Sequence, residues 1–323
     1  MTNQIESLAG VHLGKTSDGQ TMMRYETPKE IDPSLLVGIP RHLNREQYGI
    51  TNADFGGGID VWRAFEFSYL RENGAPANWV LEIRYPSFSP NIVESKSLKL
   101  YLNSFNMAVI PDQDMKFEDE YISRTLFPRT IAKIVREHLA PVLGVQTESV
   151  SVHMFSANDK LSSGQEILHG GDDDILHLET LGLQGVKFTE YTENPDLLQV
   201  IEDGRLISET FRSSSLRSNC RVTNQPDWGD VLINYRSRKR ISPISLYKYI
   251  VSLRNENHFH EEIAELIFKR LKDLLGEECH ELTVACFYTR RGGIDINPIR
   301  STMDDHRLGH RWSHQSFFRT IRQ

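Results

Sequence analysis

A chain of 323 residues, of which 39% are hydrophobic and 25% charged, has the composition of a globular protein and is long enough for two domains. Its formal net charge of −7 disfavours direct binding to nucleic acid. No apolar run approaches the roughly 18 residues that a membrane helix needs, and residues 1–10 lack the layout of a secretion signal. We therefore expect a cytoplasmic protein that contacts neither membrane nor nucleic acid directly.

The chain contains three cysteines, Cys220, Cys279 and Cys286. An odd number without a secretion signal argues against a disulfide framework, and there is no CxxC pair for a structural zinc site. We expect no bound metal. Cys279 follows a predicted helix and Cys286 lies in the strand-like run 282–287, so a structural role is favoured for both.

The first predicted elements form a β-hairpin. Residues 60–69 and 79–85 alternate apolar and polar side chains, as half-buried strands do. Asn73-Gly74 between them is a strong turn signal. The two runs therefore predict an antiparallel pair.

Two helices and a strand are predicted next. Glu94-Ser95-Lys96-Ser97 has the polar composition of a helix start and precedes apolar residues three to four apart. Residues 121–143 show the same helical period and end near Gly144, and residues 150–155 alternate as a strand. The Ser-, Gly- and Asp-rich segment 156–174 predicts a linker.

The second half of the chain repeats this pattern. Residues 97–104 match residues 245–252 at an offset of 148. Residues 135–155 match residues 267–287 at an offset of 132, so a helix and its following strand align without a gap. This agreement favours a duplicated fold over a chance match of two amphipathic helices.

Each copy predicts an α+β module, with an antiparallel sheet covered on one face by helices. We place the modules at residues 1–160 and 175–323. Neither Phe55-Gly56-Gly57-Gly58 nor Arg291-Gly292-Gly293 has the GxGxxG pattern between a strand and a helix. A Rossmann sheet is therefore not expected, and any nucleotide cofactor must bind in another way.

A polar stretch in the second half carries the strongest chemical signal. Residues 218–229, SNCRVTNQPDWG, contain a proline and end in glycine, which predicts a loop. Cys220 is unusual there, because unpaired cysteines are mostly buried as small hydrophobes. Arg217 and Arg221 flank the thiol and would favour its thiolate, and Asp227 follows close enough to face it across a turn. A purely structural cysteine is the alternative interpretation.

Two acidic sites have the chemistry to recognise a ligand. Glu94 could accept two parallel N–H bonds from a purine-like edge, with the adjacent serine and lysine meeting phosphate or ribose. His260 and Glu261 begin the last long predicted helix and could read a ligand's donors and acceptors. Capping of the helix start is the alternative at both sites. A metal at His258 and His260 would lack a third ligand at helical spacing.

Together these stretches resemble the NADPH-dependent 7-cyano-7-deazaguanine reductases, the nitrile reductases of queuosine (tRNA modification) biosynthesis, in their two-module form. The resemblance rests on four motifs in the family's order: 94–105, 220–229, Phe259-His260-Glu261 and 288–298. It covers the chain from about residue 48 to its end.

The resemblance implies tandem tunnelling-fold (T-fold) modules, a homodimer, and NADPH-dependent reduction of the nitrile of a small deazapurine to a primary amine. It implies that Cys220 forms a covalent thioimide with the nitrile carbon and that Asp227 donates protons. The residues that it implies for the deazapurine are Val93, Glu94, Ser95, His260 and Glu261. Those that it implies for NADPH are Ser95, Lys96, Arg291 and Gly292.

One departure and one asymmetry accompany the resemblance. Arg221 stands where an aliphatic residue is usual, and a cation there should help to lower the pKa of the thiol. The position that matches Glu94 in the second half is Ser242, and the first half has no cysteine. Each site must therefore combine residues of both modules.

Three other functions remain compatible with parts of the pattern. A nitrilase-type hydrolase also forms a thioimide but directs water to it. A zinc-dependent pterin cyclohydrolase would use the same fold, and a non-catalytic purine-binding scaffold would use the same pocket.

Overall fold

The computed structural model describes residues 30–110, 129–155, 175–221, 224–311, 320 and 323. Its strands are β1 (Gly38–Pro40), β2 (Gly57–Leu70), β3 (Pro76–Pro86), β4 (Asn91–Val93), β5 (Ser151–Phe155), β6 (Ile175–His177), β7 (Val200–Asn219), β8 (Pro226–Ile241), β9 (Cys279–Tyr288) and β10 (Ile294–Ser301). Its α-helices are α1 (His42–Gln47), α2 (Ser95–Asn103), α3 (Arg129–Leu143), α4 (Pro243–Ser252), α5 (His260–Leu275) and α6 (Asp305–Arg311). The predicted linker 156–174 and the first part of the helix predicted over 121–143 lie outside the described residues.

The predicted hairpin is confirmed. β2 and β3 pair antiparallel from Ile59 opposite Pro86 to Leu70 opposite Pro76, with a register shift between Ala64 and Phe67. The turn that joins the strands places Gly74 at a φ of 80°, in the left-handed region that glycine adopts at little cost. Both strands are longer than the alternating runs that predicted them.

Eight strands form one sheet in the order β5-β3-β2-β10-β9-β8-β7-β6. Neighbours pair antiparallel except β6 and β7, which share a three-residue parallel pairing. β2 from the first half pairs with β10 from the second over eight residues, from Gly57 opposite Ser301 to Ala64 opposite Ile294. The strands of both halves therefore belong to one continuous sheet, and the fold is α+β with mainly antiparallel pairing.

Four helices cover one face of this sheet. The buried side chains of α2 and α3 pack on the strands of the first half, and those of α4 and α5 on the strands of the second. Alternation within β9 and β10 places both cores on the same side, opposite a smaller cluster that includes Ala285, Phe287 and Ile299. No helix in the described ranges combines the length and the apolar character needed to cross a bilayer.

Helix α6 is an exception to the prediction that helices cover one face only. Its Leu308 packs with Val61 and Ile299 in the smaller cluster on the opposite face. Asp305 at the start of α6 accepts a hydrogen bond from the Gly58 N–H at 3.0 Å. The short helix therefore covers apolar side chains of β2 and β10 that point to the face opposite the other helices.

A buried cluster of charged side chains links the two halves behind the helices. Arg300 on β10 contacts Asp60 on β2 at 2.7 Å and Glu265 on α5 at 2.8 Å. Arg41 pairs with Asp60, and Arg45 on α1 contacts Glu265 at 2.6 Å. Burial alone would raise the pKa of Glu265, but the guanidinium groups of Arg300 and Arg45 lower it to about 2. Glu265 is therefore held ionised between cations.

Replacing Glu265 by alanine leaves the guanidinium groups of Arg45 and Arg300 buried with one carboxylate fewer. We expect the free energy of unfolding in urea to fall by about 3–5 kcal/mol, the usual cost of removing one partner of a buried ion pair. The matched control is Glu137→Gln, which removes an exposed pair with Lys133 on α3. It should change the free energy of unfolding by less than about 0.5 kcal/mol. Equal effects of the two substitutions would contradict a stabilising role for the cluster.

Candidate functional site

A cavity of about 340 Å³ lies where the two halves meet, a size suited to a small-molecule ligand. The first half contributes Trp62, Ile92, Val93, Glu94, Ser95, Lys96 and Lys99 to its wall. The second half contributes Cys220, Gln225, Asp227, His258, Phe259, His260, Glu261, Arg291, Gly292, Ile294 and Ile296. All ten residues that the sequence predicted for a site line this one cavity, and they come from both halves.

The β2–β10 pairing brings these residues together. Ile294 and Ile296 on β10 and Trp62 on β2 form part of the wall, and Ile296 lies directly opposite Trp62 in the sheet. β10 therefore fixes the second half's residues against the first half's α2, whose N-terminus carries Glu94 and Ser95.

Cys220 lies in a tight loop between β7 and β8. Its N–H donates to the carbonyl of Gln225 at 2.8 Å, and its carbonyl accepts from the N–H of Asn224 at 2.9 Å. Asn224 has a φ of 53°, a left-handed conformation that asparagine tolerates better than most residues. Cys220 is half-buried at the wall of the cavity, where a ligand has access to it.

The polar composition of residues 218–229 predicted that Asp227 lies in a loop, and this prediction is wrong. Asp227 is the second residue of β8. The strand pairing places it opposite Ser218 on β7, and only 2% of it is exposed. Its carboxylate accepts from the guanidinium of Arg291 and lies 3.3 Å from Nε2 of His260. Hydrogen-bonding to the adjacent strand, rather than a loop, therefore holds this acid at the cavity.

The ring of His260 is held from two sides. It stacks on Tyr288 with centroids 3.7 Å apart and planes 6° from parallel. Its Nε2 faces the carboxylate of Asp227, a position suited to an N–H donor, and the tautomer that carries Nε2–H has Nδ1 as an acceptor. Nδ1 is buried and has no hydrogen-bond partner among the described residues.

Glu261 is a buried carboxyl group with an unsatisfied oxygen. Burial, and then the nearby carboxylate of Asp60, raise the pKa of Glu261 to about 8 against the partial opposition of Arg41. Its Oε1 has no partner among the described residues. The capping contact of α5 is made instead by Glu262, whose Oε2 accepts from the N–H of Phe259 at 2.9 Å. Capping therefore does not account for the burial of Glu261.

Three buried polar atoms of the wall lack partners within the described part of the chain: Trp62 Nε1, His260 Nδ1 and Glu261 Oε1. A buried donor or acceptor without a partner costs about 1–3 kcal/mol. A flat ligand with both donors and acceptors along its edge would recover this cost. The chemistry of the wall thus fits a heterocycle with several ring nitrogens and exocyclic groups.

Glu94 caps the helix that it precedes. Its Oε1 accepts from the N–H of Lys96 at 3.0 Å, and its Oε2 accepts from the N–H of Ser97 at 2.6 Å. The capping interpretation of Glu94 is therefore correct for this structure. Each carboxylate oxygen has a second lone pair, so capping leaves room for a ligand's N–H group at the same carboxylate.

Cations line one side of the cavity. Lys96 and Lys99 on α2 line the cavity together with Arg291 and Gly292 of the turn after β9, and Lys99 lies 3.3 Å from a carboxylate oxygen of Glu66. A Cβ at Gly292, whose φ is 58°, would come within 3.2 Å of the Lys99 ammonium. The donor set of two lysines, one arginine and the start of a helix suits an anionic group.

Eight residues of this wall were not predicted as site residues: Trp62, Ile92, Lys99, Gln225, His258, Phe259, Ile294 and Ile296. Trp62 lies within a strand whose alternation predicts burial alone. Its place beside Ile296 in the cavity wall depends on the β2–β10 pairing. Lys99 and Phe259 lie within quoted motifs, so their spacing was a usable signal. The sequence pattern indicates His258 only as a potential metal ligand.

The other two cysteines lie away from the cavity. Burial raises the pKa of Cys279 to about 11, and burial also raises the pKa of Cys286, which is fully enclosed in β9. Thiols with raised pKa values are poor nucleophiles at neutral pH. In the described residues, no group of three or more His, Cys, Asp or Glu side chains is arranged to hold a metal ion.

Comparison with known families gives two matches that divide along the two halves. Residues 27–137 match the model described as "Nitrile reductase, 7-cyano-7-deazaguanine-reductase N-term". Residues 226–307 match the model described as "QueF-like protein". A crystal structure of the archaeosine synthase QueF-Like in the apo form is similar at 18% identity, covering 30% of this chain and 92% of its own, with a TM-score of 0.26.

The raised pKa of Glu261 predicts a pH effect on stability that Glu261→Gln removes. The pKa of Glu261 in the folded protein, about 8, lies above its ordinary value of 4.5. Between these two pH values the folded protein keeps a proton on Glu261 that the unfolded chain loses. Stability should therefore fall as the pH rises through this range, by up to about 1.4 kcal/mol per pH unit. In urea unfolding at pH values from about 5 to 8, the free energy of unfolding of the Gln variant should rise progressively relative to that of the parent protein. Parallel pH profiles of the two would show that Glu261 is ionised when buried.

Proposed function

The chain belongs to the nitrile reductase family of 7-cyano-7-deazaguanine reductases, and on that premise we propose that it reduces the nitrile of 7-cyano-7-deazaguanine to the aminomethyl group. In this proposal the reductant is NADPH, the reaction passes through a thioimide on Cys220, and the product enters queuosine biosynthesis. The observation that supports it most is the convergence of a half-buried thiol, a buried acid and unsatisfied polar atoms on one cavity.

The covalent step uses Cys220 and Asp227. The thiol of Cys220 gives its proton to the carboxylate of Asp227, and the sulfur adds to the nitrile carbon. A carbon–nitrogen π bond breaks, and its electron pair moves to nitrogen, which takes that proton from Asp227. A soft thiolate suits this weak electrophile, and an acid within reach of the developing charge lowers the barrier. His260 and Arg291, which contact Asp227, orient its carboxyl group toward the cavity.

The deazapurine is proposed to lie against Trp62 and Ile296, with its polar edge on His260 and Glu261. Glu261 ionises when it accepts the ligand's N–H donors, since an accepted donor favours the charged form. Val93, Glu94 and Ser95 would bound the ligand from the first half. Because the wall combines both halves, the chain would form one kind of site.

The cationic side of the cavity is proposed to hold NADPH. Ser95, Lys96, Arg291 and Gly292 are the residues assigned to it, and Lys99 extends the same surface. When bound, the cofactor supplies hydride, twice for each nitrile reduced to an amine. The closed wall of Ile294 and Ile296 limits access of water, which would otherwise hydrolyse an imine on its way to the amine.

Several broader properties belong to the same proposal. The two halves, at residues 1–160 and 175–323, are proposed to be tandem T-fold modules, because each presents a hairpin, two helices and a strand in that order. The protein is proposed to act in the cytoplasm as a homodimer, on a small-molecule substrate, without contacting nucleic acid itself.

Cys220→Ala should abolish catalysis while the ligand still binds. Without sulfur there is no nucleophile, but the polar edge of the wall is unchanged. We expect no thioimide absorbance band with the nitrile and no NADPH oxidation, with ligand affinity within about threefold of the parent. Cys279→Ala, which alters a thiol outside the cavity, is the matched control and should retain both signals. Turnover by the Cys220→Ala variant would show that the nucleophile is misassigned.

Asp227→Asn should impair proton transfer more than binding. The amide keeps the shape of the carboxyl group and an acceptor for Arg291, but it cannot supply the proton. We expect steady-state turnover to fall by roughly 10²–10⁴-fold, while ligand affinity changes far less. NADPH oxidation within about threefold of the parent would contradict the assignment of this acid.

A further inference from the structure

An ion pair joins the nucleophile's loop to the helix that carries the ligand-binding residues. Arg221, the residue after Cys220, contacts Glu262 on α5 at 2.7 Å. The other oxygen of Glu262 accepts from the N–H of Phe259 at 2.9 Å and lies 3.2 Å from Nδ1 of His258. Glu262 directly follows His260 and Glu261, so the pair spans the gap between Cys220 and the proposed substrate-binding residues.

His258 extends this network to the first half of the chain. Its Nε2 lies 3.1 Å from the hydroxyl of Tyr48 and 3.3 Å from a carboxylate oxygen of Glu256. The side chain is buried and forms part of the cavity wall. Glu262 is therefore connected through His258 to Tyr48 in the first half of the chain.

Backbone and side-chain hydrogen bonds also hold the same loop against the segment before α5. The N–H of Asn219 donates to the carbonyl of Glu256 at 2.7 Å, and the N–H of His258 donates to the carbonyl of Asn219 at 3.2 Å. The side chain of Asn257 donates to that of Asn224 at 2.9 Å. These contacts hold Asn219 and Asn224 on either side of the loop, and the Arg221–Glu262 pair adds a side-chain contact next to Cys220.

We propose that Glu262 is a positioning residue, which acts through Arg221 to hold Cys220 in line with a nitrile bound at His260 and Glu261. This inference rests on the proposed nitrile reduction. Because the carboxylate of Glu262 neutralises Arg221, the arginine works as a tether rather than as a cation that activates the thiol. The tether role replaces the expectation that Arg221 lowers the pKa of the Cys220 thiol.

The two roles of Arg221, tether or activating cation, predict different effects of Arg221→Leu and Glu262→Gln on the reactivity of Cys220. An activating cation would make the two substitutions act oppositely, because the first removes a positive charge and the second unmasks it. A tether makes both act alike, because each breaks the same contact. Glu262→Gln keeps an acceptor for the N–H of Phe259, and Arg221 is about one-third exposed, so both variants should fold.

The first readout is the rate of thioimide formation with the nitrile in the absence of NADPH, followed by absorbance. We expect each single variant and the double variant to be slower by the same factor, roughly three- to tenfold, because a contact can be lost only once. Arg221→Lys should recover most of the rate. The control is Asp273→Asn, which removes an exposed pair with Lys269 at the other end of α5.

The second readout is the pH dependence of Cys220 alkylation by iodoacetamide, mapped by mass spectrometry. Around the loop lie charged and titratable side chains of β7, the loop itself, β8, the segment before α5, α5 and the turn after β9: Arg217, Arg221, Asp227, Glu256, His258, His260, Glu261, Glu262 and Arg291. A tether leaves the midpoint of this profile within about 0.3 pH units in both single variants. Midpoints displaced in opposite directions would overturn the tether in favour of the activating cation.

Two further outcomes separate this inference from the proposed function. Unchanged adduct rates in all three variants, or single effects that multiply in the double variant, would overturn the positioning role alone. Absence of any adduct in the unsubstituted protein would overturn the nitrile reduction and the positioning role with it, while the alkylation profile would still report the electrostatic state of Cys220.

Discussion

The antiparallel pairing of β2 with β10 is the constraint on which the site depends. Eight residue pairs join a strand of the first half to a strand of the second. A slip of one residue would turn Ile294 and Ile296 away from the helices and remove them from the cavity wall. The same pairing brings the thiol and acid of one half to the helix start of the other, so neither half contains the site alone.

Buried charge reinforces this junction and shapes the site. Arg41, Arg300 and Asp60 satisfy one another across the halves, and Glu265 closes the cluster from α5. One turn earlier on that helix, Glu261 lines the cavity, and its Oε1 has no hydrogen-bond partner in the part of the chain that the structure describes. Two glutamates of one helix thus have opposite electrostatic environments: burial raises the pKa of Glu261, and the guanidinium groups of Arg300 and Arg45 lower the pKa of Glu265.

Local elements of the fold were predictable because local chemistry determines them. The alternation of 60–69 and 79–85 around Asn73-Gly74 predicted the hairpin, and the polar run at Glu94 predicted the start of α2. The internal repeat predicted the same order of elements in both halves. The pairing of β2 with β10 and the return of α6 to the opposite face depend on contacts between distant segments, and no local pattern encodes them.

The candidate site divides in the same way. The motifs around Cys220, Glu94, His260 and Arg291 named residues that the structure brings to one cavity. Their partners were not predictable: the contact of Arg291 with Asp227, and the pairing of Arg221 with Glu262, require the positions of side chains on separate elements. The roles of these residues in a reaction remain predictions that experiment must test.

Mass spectrometry of the protein after incubation with 7-cyano-7-deazaguanine alone tests the central claim most directly. The account predicts that the peptide containing Cys220 gains the full mass of the nitrile, since addition releases no fragment, and that the peptides of Cys279 and Cys286 gain nothing. An unmodified Cys220 in protein that binds the ligand, or an adduct on another side chain, would contradict it.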